Sequence, residues 1–173
     1  MKKIGLLLLF VFIFSLLLII WRLSLDRSDS GDIEVTVRDD ALQSIPVGSM
    51  HWHPRLTIKI NGDAVPIPTN IGITIGRVAD KSLSGMRMSP THTHESDGTI
   101  HLENLNPRSK PETLTLGYFF YVWDKPFNST CIFEYCTSKG TLTMSVNGQE
   151  NREFQNYLMH DKDEIVIEYD SKD

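Results

Sequence analysis

The chain has 173 residues, with 17 Lys and Arg against 22 Asp and Glu, and a formal net charge of −5. Four of the basic residues and one of the acidic residues lie in the first 27 positions, so the remainder carries about −8. This negative charge argues against a nucleic-acid partner, because phosphate groups demand a basic surface. The length after residue 27 suffices for one domain and is too short for two.

Residues 4–21 form an almost unbroken apolar run, interrupted only by Gly5 and Ser15. As a helix, this run spans about 27 Å, which is close to the hydrocarbon thickness of a bilayer. A signal peptide has a shorter apolar core and a small-residue cleavage site, whereas this run ends in Trp21 and Arg22, which suit an interfacial anchor. The run therefore predicts an uncleaved signal anchor, with a cleaved signal peptide as the alternative.

The predicted organisation has three parts. Residues 1–25 are a short cytoplasmic head and a transmembrane signal anchor, because a basic head before the first apolar run stays in the cytoplasm. Residues 26–32 are polar and small and form a flexible linker. Residues 33–173 are an extracytoplasmic β-rich domain. The expected location is the cell membrane, crossed once through residues 4–21, and the sequence names no protein partner.

Alternating apolar and polar residues predict strands in the exported part. Two Asn-Gly dipeptides, Asn61-Gly62 and Asn147-Gly148, are typical of two-residue hairpin turns. Each is therefore expected to join two antiparallel strands, as in a β-rich domain with two similar hairpins. The clearest predicted strands cover residues 33–37, 56–60, 98–103, 144–146 and 164–169.

One helix is predicted over residues 116–123, with Thr115 as its N-cap. Its apolar side chains follow the spacing i, i+3, i+4 and i+7 of a core-facing stripe; an aromatic strand is the alternative. A hairpin first and a helix crossing the sheet predict a β-grasp-like α+β fold, with a β-sandwich as the alternative. The stripe consists of Leu116, Phe119, Phe120 and Trp123.

The chain has two cysteines, Cys131 and Cys136. Outside the cytoplasm, a pair so close in the chain is expected to form a local disulfide. Closing so short a loop is worth about 2 kcal/mol in the chain-entropy model. The alternative is a pair of thiolate metal ligands, although no second cysteine pair exists to complete a thiolate site.

Five of the six histidines are clustered, in two His-x-His pairs and one further position. Residues i and i+2 of an extended segment point to the same face, so each pair can offer two nitrogens to one ion. Neutral imidazole is a common ligand for zinc and copper. The pattern predicts a metal site rather than an accidental group of surface histidines. Its candidate ligands are His51, His53, His92, His94 and His101.

The expected cofactor is a transition metal ion, either copper or zinc. Three imidazoles with an open position form a catalytic type of zinc site, and four closed ligands form a structural one. Copper(II) accepts the same nitrogens and generally binds more tightly. Three nearby acids, Glu95, Asp97 and Glu103, are candidates to bind the ion or to orient the imidazole rings.

The chain also resembles a known family over most of residues 50–169. The matching patterns are His51-x-His53-x-x-Leu56-x-Ile58-x-x-Asn61-Gly62, Ile67-Pro68-x-x-Ile71-Gly72-Ile73, His92-Thr93-His94-x-x-x-Gly98-x-Ile100-His101-x-Glu103 and Leu116-Gly117-x-Phe119-Phe120-x-x-Trp123. They resemble an uncharacterised family of exported or membrane-anchored prokaryotic proteins. This resemblance implies an ordered, exported domain. Glu95 stands where similar sequences carry Asp, which argues against a direct ligand role for that acid.

These observations leave three hypotheses for function. The first is a non-catalytic, membrane-tethered domain that binds copper or zinc, since no nucleophile motif such as Gly-x-Ser-x-Gly is present. The second is a metal-dependent hydrolase or lyase, with a three-histidine site and Glu95 or Glu103 as base. The third is a structural or interaction module without metal, whose histidines pack against Trp52, Trp123 and residues 119–120.

Overall fold

Short β-strands make up most of the regular structure, and α-helices contribute little. A computed structural model describes residues 35–81, 86–104 and 110–172. The described helices are α1 (Asp39–Leu42) and α2 (Leu116–Trp123), with 3-10 turns at Pro111–Leu114 and Phe154–Asn156. The architecture is α+β and β-rich, as the sequence predicts. The strands are β1 (Met50–Trp52), β2 (Arg55–Ile60), β3 (Asp63–Val65), β4 (Thr91–His92), β5 (His101–Asn104), β6 (Cys131–Ile132), β7 (Tyr135–Cys136), β8 (Gly140–Val146), β9 (Gln149–Glu150) and β10 (Glu164–Ser171).

The larger sheet has five strands in the order β3-β2-β10-β8-β9. The central strands β2 and β10 run parallel, with Leu56 opposite Ile165, and the other neighbours are antiparallel. Burial alternates along β2, β8 and β10, because successive side chains of a strand point to opposite faces. One face of this sheet is therefore apolar.

Both Asn-Gly hairpins are confirmed. Asn61 and Gly62 have φ values of 53° and 85° between β2 and β3, and Asn147 and Gly148 have 53° and 78° between β8 and β9. Positive φ at both central positions is the requirement of a type I′ turn, which matches the twist of the flanking strands. The two turns fix the register of the sheet at both of its edges.

Helix α2 confirms the predicted helix and excludes the aromatic strand. The Thr115 hydroxyl accepts a hydrogen bond from the Tyr118 amide at 3.2 Å, and Asp124 ends the helix in the left-handed conformation. Phe119 is fully buried and Trp123 is 6% exposed. The helix shares one buried apolar cluster with the strands of the larger sheet.

A second sheet has three antiparallel strands in the order β1-β5-β4. The segment just before β5 is linked to the beginning of β2 by two backbone hydrogen bonds, each 2.9 Å. The Leu56 amide donates to the Gly98 carbonyl, and the Ile100 amide donates to the carbonyl of Pro54, which precedes β2. Gly98 has φ +87°, and a Cβ there would lie 2.3 Å from the Leu56 carbonyl oxygen. The predicted strand 98–103 is therefore corrected to His101–Asn104, because Gly98 leaves the extended conformation.

The strands β6 and β7 form a small hairpin apart from both sheets. Cys131 and Cys136 are paired across it, with Cα atoms 4.1 Å apart, and are joined by a disulfide. The sulfur atoms are thus bonded to each other. A thiolate pair that binds metal does not form at these positions.

The predictions for the first 34 residues lie outside the described part of the chain. They are the head and anchor at residues 1–25, the apolar run at 4–21 and the linker at 26–32. Within the described ranges, no helix is long and apolar enough to cross a membrane. Of the predicted strand at residues 33–37, positions 35–37 are described and belong to no strand. There the Thr36 amide donates to the Asn156 side-chain oxygen at 2.9 Å instead of to a neighbouring strand.

Candidate metal centre

The three-stranded sheet brings histidines from three parts of the chain onto one face. On the central strand β5, His101 and Glu103 are two residues apart and point to the same side. His51 on β1 lies directly opposite Glu103, and His92 on β4 lies directly opposite His101. Directly opposed residues of antiparallel strands share a face. The register of this sheet therefore assembles the cluster.

The other two histidines follow β1 and β4 by one or two residues. His53 reaches the Nε2 atom of His51 with its own Nε2 at 3.1 Å, and His94 reaches His92 in the same way, also at 3.1 Å. All five histidines that the sequence singled out are therefore close together. The opposite face of β5 presents Leu102 to the apolar core, together with Ile100 just before the strand, and both are fully buried.

His101 lies at the centre of the cluster. Its ring centroid is 4.6–5.6 Å from the ring centroids of each of the other four, namely His51, His53, His92 and His94. Its Nδ1 atom is 3.3 Å from the Nε2 atom of His51. The rings thus form one continuous group.

Glu103 places a carboxylate among these rings. Its Oε1 atom lies 2.9 Å from the Nε2 atom of His51, 3.9 Å from the Nδ1 atom of His101 and 4.0 Å from the Nε2 atom of His92. Its side chain is only 11% exposed. A carboxylate that is nearly buried is stable only when it is paired or binds a cation.

The tautomer of His92 is fixed by the backbone. Its Nδ1–H group donates to the Ser89 carbonyl at 2.9 Å, and a carbonyl can only accept. The Nε2 atom therefore presents a lone pair to the cluster, which is the arrangement of a metal-binding histidine. Burial lowers the pKa of His92 below its ordinary value, only partly opposed by Ser89 and Glu103.

His101 is held in the neutral form as well. Burial and the four neighbouring imidazoles lower the pKa of His101 to about 4. Metal ligands must be deprotonated, so a histidine that stays neutral well below pH 7 is ready to bind an ion.

Two overlapping groups of ligand atoms have the spacing of a metal site. The atoms within each group lie within 4.8 Å of one another, and both groups include His101. Burial differs between the groups at one ligand: the side chain of His92 in the first group is fully buried, whereas His94 is exposed and the side chains of His51 and His53 are 54% and 41% exposed. The first group is His92, His94, His101 and Glu103, and the second is His51, His53 and His101.

The two other acids that the sequence proposed lie outside these groups. Glu95 is exposed in the turn after β4. The Oδ1 atom of Asp97 accepts a hydrogen bond from the Thr99 amide at 2.9 Å, and this bond lowers the pKa of Asp97. Asp97 therefore stabilises the turn before β5. Of the three proposed acids, Glu103 is the one that the fold brings to the rings.

Two groups that contact the cluster were missed from the sequence. The Ser89 carbonyl binds His92, as described above, and backbone acceptors leave no trace in a sequence pattern. The other is Asp161, whose Oδ1 atom accepts a hydrogen bond from the His53 amide at 3.0 Å and lies 3.9 Å from the His53 Nδ1 atom. The acidic turn at residues 160–163, just before β10, is the signal that could have indicated it.

His160, the sixth histidine, belongs to a separate group. Its ring stacks on Trp52 at 5.6 Å, and its Nε2 atom lies 2.7 Å from the Ser44 hydroxyl. Asp163 completes a set with the composition of a Ser-His-Asp triad. However, the Ser44 hydroxyl donates to the Ala41 carbonyl at 2.6 Å, and the Nδ1 atom of His160 is 3.6 Å from Asp163, beyond hydrogen-bond length. This group therefore stabilises the loop.

Comparison of the chain with family models, with curated proteins and with solved structures finds no match in any of the three. The resemblance to a family of exported prokaryotic proteins therefore stays a prediction. The interpretation of the site depends on the geometry of its own residues.

Proposed function

We propose that this protein is a membrane-anchored, extracytoplasmic metal-binding protein that holds copper or zinc and is not a catalyst. One observation carries the proposal: five imidazoles and one carboxylate converge within coordination distance on one face of a small sheet. The proposed ligands are His51, His53, His92, His94 and His101, together with Glu103.

Hydrogen bonds among these groups do not by themselves explain why they converge. The Nε2 atom of His51 faces two further ring nitrogens and the Glu103 carboxylate oxygen, at 2.9–3.3 Å. A single N–H group there can donate to only one of these three acceptors. The remaining lone pairs point at one another unless a cation lies between them. Transition metal ions among these rings would accept the lone pairs and remove the repulsion.

Packing of the histidines against apolar rings has little support. In the described ranges, the ring contacts of the five histidines run to one another, and none runs to Trp52, Trp123 or Phe119. Those aromatic residues have partners of their own, such as His160 for Trp52. A structural module without metal does not require the five imidazole rings to contact one another.

The hydrolase hypothesis is supported less than simple binding. Of its two candidate bases, Glu95 is exposed and outside the cluster, while Glu103 lies at ligand distance from three rings. A carboxylate in that position binds the ion and is not available as a general base. The donor set favours zinc or copper(II), because imidazole and carboxylate suit both and the two cysteines are in a disulfide.

We also propose that the larger sheet is of the β-grasp type. Support comes from the chain order, in which a hairpin, helix α2, a second hairpin and a last strand follow one another, and from the parallel pairing of β2 with β10 at the centre. A β-sandwich is built from antiparallel sheets. The anchor at residues 4–21 is proposed from the apolar run alone.

The test is the metal content of the full-length chain, purified in detergent without an affinity tag that binds metal. After reconstitution with copper or zinc and removal of free ions, mass spectrometry is expected to find at least one ion per chain. The variant with His92→Ala and His94→Ala is expected to lose most of it, because two of the four ligands of the first group are removed.

His160→Ala is the matched control, since it removes an imidazole outside the cluster, and it is expected to keep the metal content of the unaltered chain. Less than stoichiometric copper and zinc in the unaltered chain would refute the proposal. Equal metal content in the double variant and in the control would refute the assignment of ligands.

A further inference from the structure

The cluster contains more donors than one ion uses. A zinc ion in a protein is almost always four-coordinate, whereas five imidazoles and the Glu103 carboxylate converge here. The two groups of ligand atoms share His101, and a neutral imidazole has one lone pair for one ion. If only one ion is bound, two of the histidines are left without a metal to coordinate. A second ion would use them.

The sheet divides these donors into two halves. The pair on and after β1, His51 and His53, lies on one side of β5, and the pair on and after β4, His92 and His94, lies on the other. In each pair, the two Nε2 atoms are 3.1 Å apart. Two nitrogens on the same tetrahedral zinc are about 3.3 Å apart, given bonds of about 2.0–2.1 Å. Each pair thus has the spacing for an ion of its own.

Glu103 is the group that can serve both halves. Its Oε1 atom is 2.9 Å from the Nε2 atom of His51 in one half and 4.0 Å from the Nε2 atom of His92 in the other. A carboxylate has two oxygens with two lone pairs each, and its negative charge offsets part of the repulsion between two cations. Paired metal ions in proteins lie about 3.5–4 Å apart, which one carboxylate spans.

We infer that the cluster holds two metal ions, with the Glu103 carboxylate between them. This inference rests on the proposed function and deepens it. The inner ion is bound by His92, His94, His101 and Glu103, and the outer ion is bound by His51, His53 and Glu103.

The two ions differ in how completely the protein encloses them. The inner ion has four protein ligands, of which His92 is fully buried and His94 is exposed. The outer ion has three, and two of these, His51 and His53, are about half exposed. A closed set of four is typical of a structural site, whereas an open position admits water or another ligand. The inner ion is therefore retained and the outer ion is exchangeable, with its open position toward solvent.

The test counts the ions bound by the full-length chain in detergent. Metal-free chain is titrated with zinc, and the ions per chain are measured after gel filtration and by native mass spectrometry. The expected result is two ions in unequal steps. The variant with His51→Ala and His53→Ala is expected to bind one. Both side chains are about half exposed, so the fold is expected to be kept, and thermal unfolding of the metal-free variant checks this.

A carboxylate exchange tests the bridge. Glu103→Gln keeps the size of the side chain but removes the charge, and it is expected to weaken the second ion at least about tenfold. Glu95→Gln is the matched control, because it neutralises an exposed acid in the same segment, and it is expected to bind two ions. With copper(II), the spin signal of the unaltered chain is expected to grow up to one equivalent and then to decrease, because adjacent ions couple magnetically.

The outcomes separate the two proposals. Two ions in the unaltered chain and one in the His51 and His53 variant support the inference. One ion in the unaltered chain refutes it and leaves the proposed function intact. Two ions in both chains refute the assignment of the outer site. Absence of bound metal in the unaltered chain refutes the proposed function itself.

Discussion

The two sheets of this protein follow the same rules of strand pairing and differ in what they do with their faces. In the five-stranded sheet, β2 sends Leu56, Ile58 and Ile60 into the core and polar residues outward. In the three-stranded sheet, β5 sends Leu102 into the core and His101 and Glu103 to the other face. The apolar side chains of the first sheet are buried in the apolar cluster of the chain itself. The second carries a cluster of donor atoms, for which we propose a metal ion as the partner.

Stability and the proposed binding are therefore located in different parts of the molecule. Apolar burial around α2 and the larger sheet supplies most of the folding free energy, since burial of large side chains is the dominant favourable term. The clustered imidazoles do not stabilise the metal-free fold by themselves. Under the proposed function, they add to the free energy of unfolding when an ion binds. Changes in the two regions are therefore expected to affect different measurements.

The largest effect is expected from the core. Phe119→Ala on α2 removes a fully buried ring and leaves a cavity, so the free energy of unfolding is expected to fall by about 3–5 kcal/mol. Denaturant unfolding of the metal-free chain measures it. The number of ions bound per folded molecule is expected to stay unchanged. A loss of metal in the folded variant would show that core and cluster are not separable.

Metal binding is expected to give the next largest effect. At a free metal concentration 100 times the dissociation constant, one bound ion adds about 2.7 kcal/mol to the free energy of unfolding. Thermal unfolding with metal and with a chelator measures this difference. It is expected to disappear in the variant with His92→Ala and His94→Ala, whose metal-free stability serves as the baseline. An equal increase in that variant would locate the binding elsewhere.

Asp163, just before β10, links the loop at residues 157–160 to the turn between β8 and β9. Burial opposes its ionisation, but hydrogen bonds from His160, Tyr157 and Asn147 outweigh burial and lower the pKa of Asp163. A lowered pKa in the folded state stabilises the fold above the unfolded value of about 3.9. This contribution is lost as the pH falls through the folded pKa.

Asp163→Asn is expected to cost about 1–3 kcal/mol at pH 7, because hydrogen bonds to a charged acceptor are lost. It is also expected to flatten the decrease in stability between about pH 5 and pH 3. Denaturant unfolding across this range compares the variant with the unaltered chain. Asp170→Asn, which changes an exposed acid near the other end of β10, is the control and is expected to leave the profile unchanged. The same slope in Asp163→Asn would contradict the account.

The smallest effect is expected at Asp161, which binds the His53 amide at 3.0 Å. Asp161→Ala leaves His53 less well oriented, so metal affinity at the exposed end is expected to fall about tenfold. Calorimetric titration with zinc measures it, and Lys162→Gln in the same turn is the control. Unchanged affinity in Asp161→Ala would show that β1 alone positions His53.

Much of this arrangement was predictable from local patterns. The Asn-Gly dipeptides fixed both hairpins because few residues tolerate positive φ, and the aromatic stripe after Thr115 fixed α2. The predicted start of β5 was wrong, because Gly98 has a positive φ. This conformation accompanies the close approach of Gly98 to Leu56, a contact between distant parts of the chain. The contact of Asp161 with His53 was not predicted for the same reason, because the two residues are far apart in the chain and the fold brings them together.

The His-x-His spacing alone indicated the candidate ligands, because it places paired rings on one face of any extended segment. That the two pairs meet is a property of the folded chain. The antiparallel order β1-β5-β4 sets His51 opposite Glu103 and His92 opposite His101. Strand register depends on hydrogen bonds between segments far apart in the chain, and no local spacing encodes it.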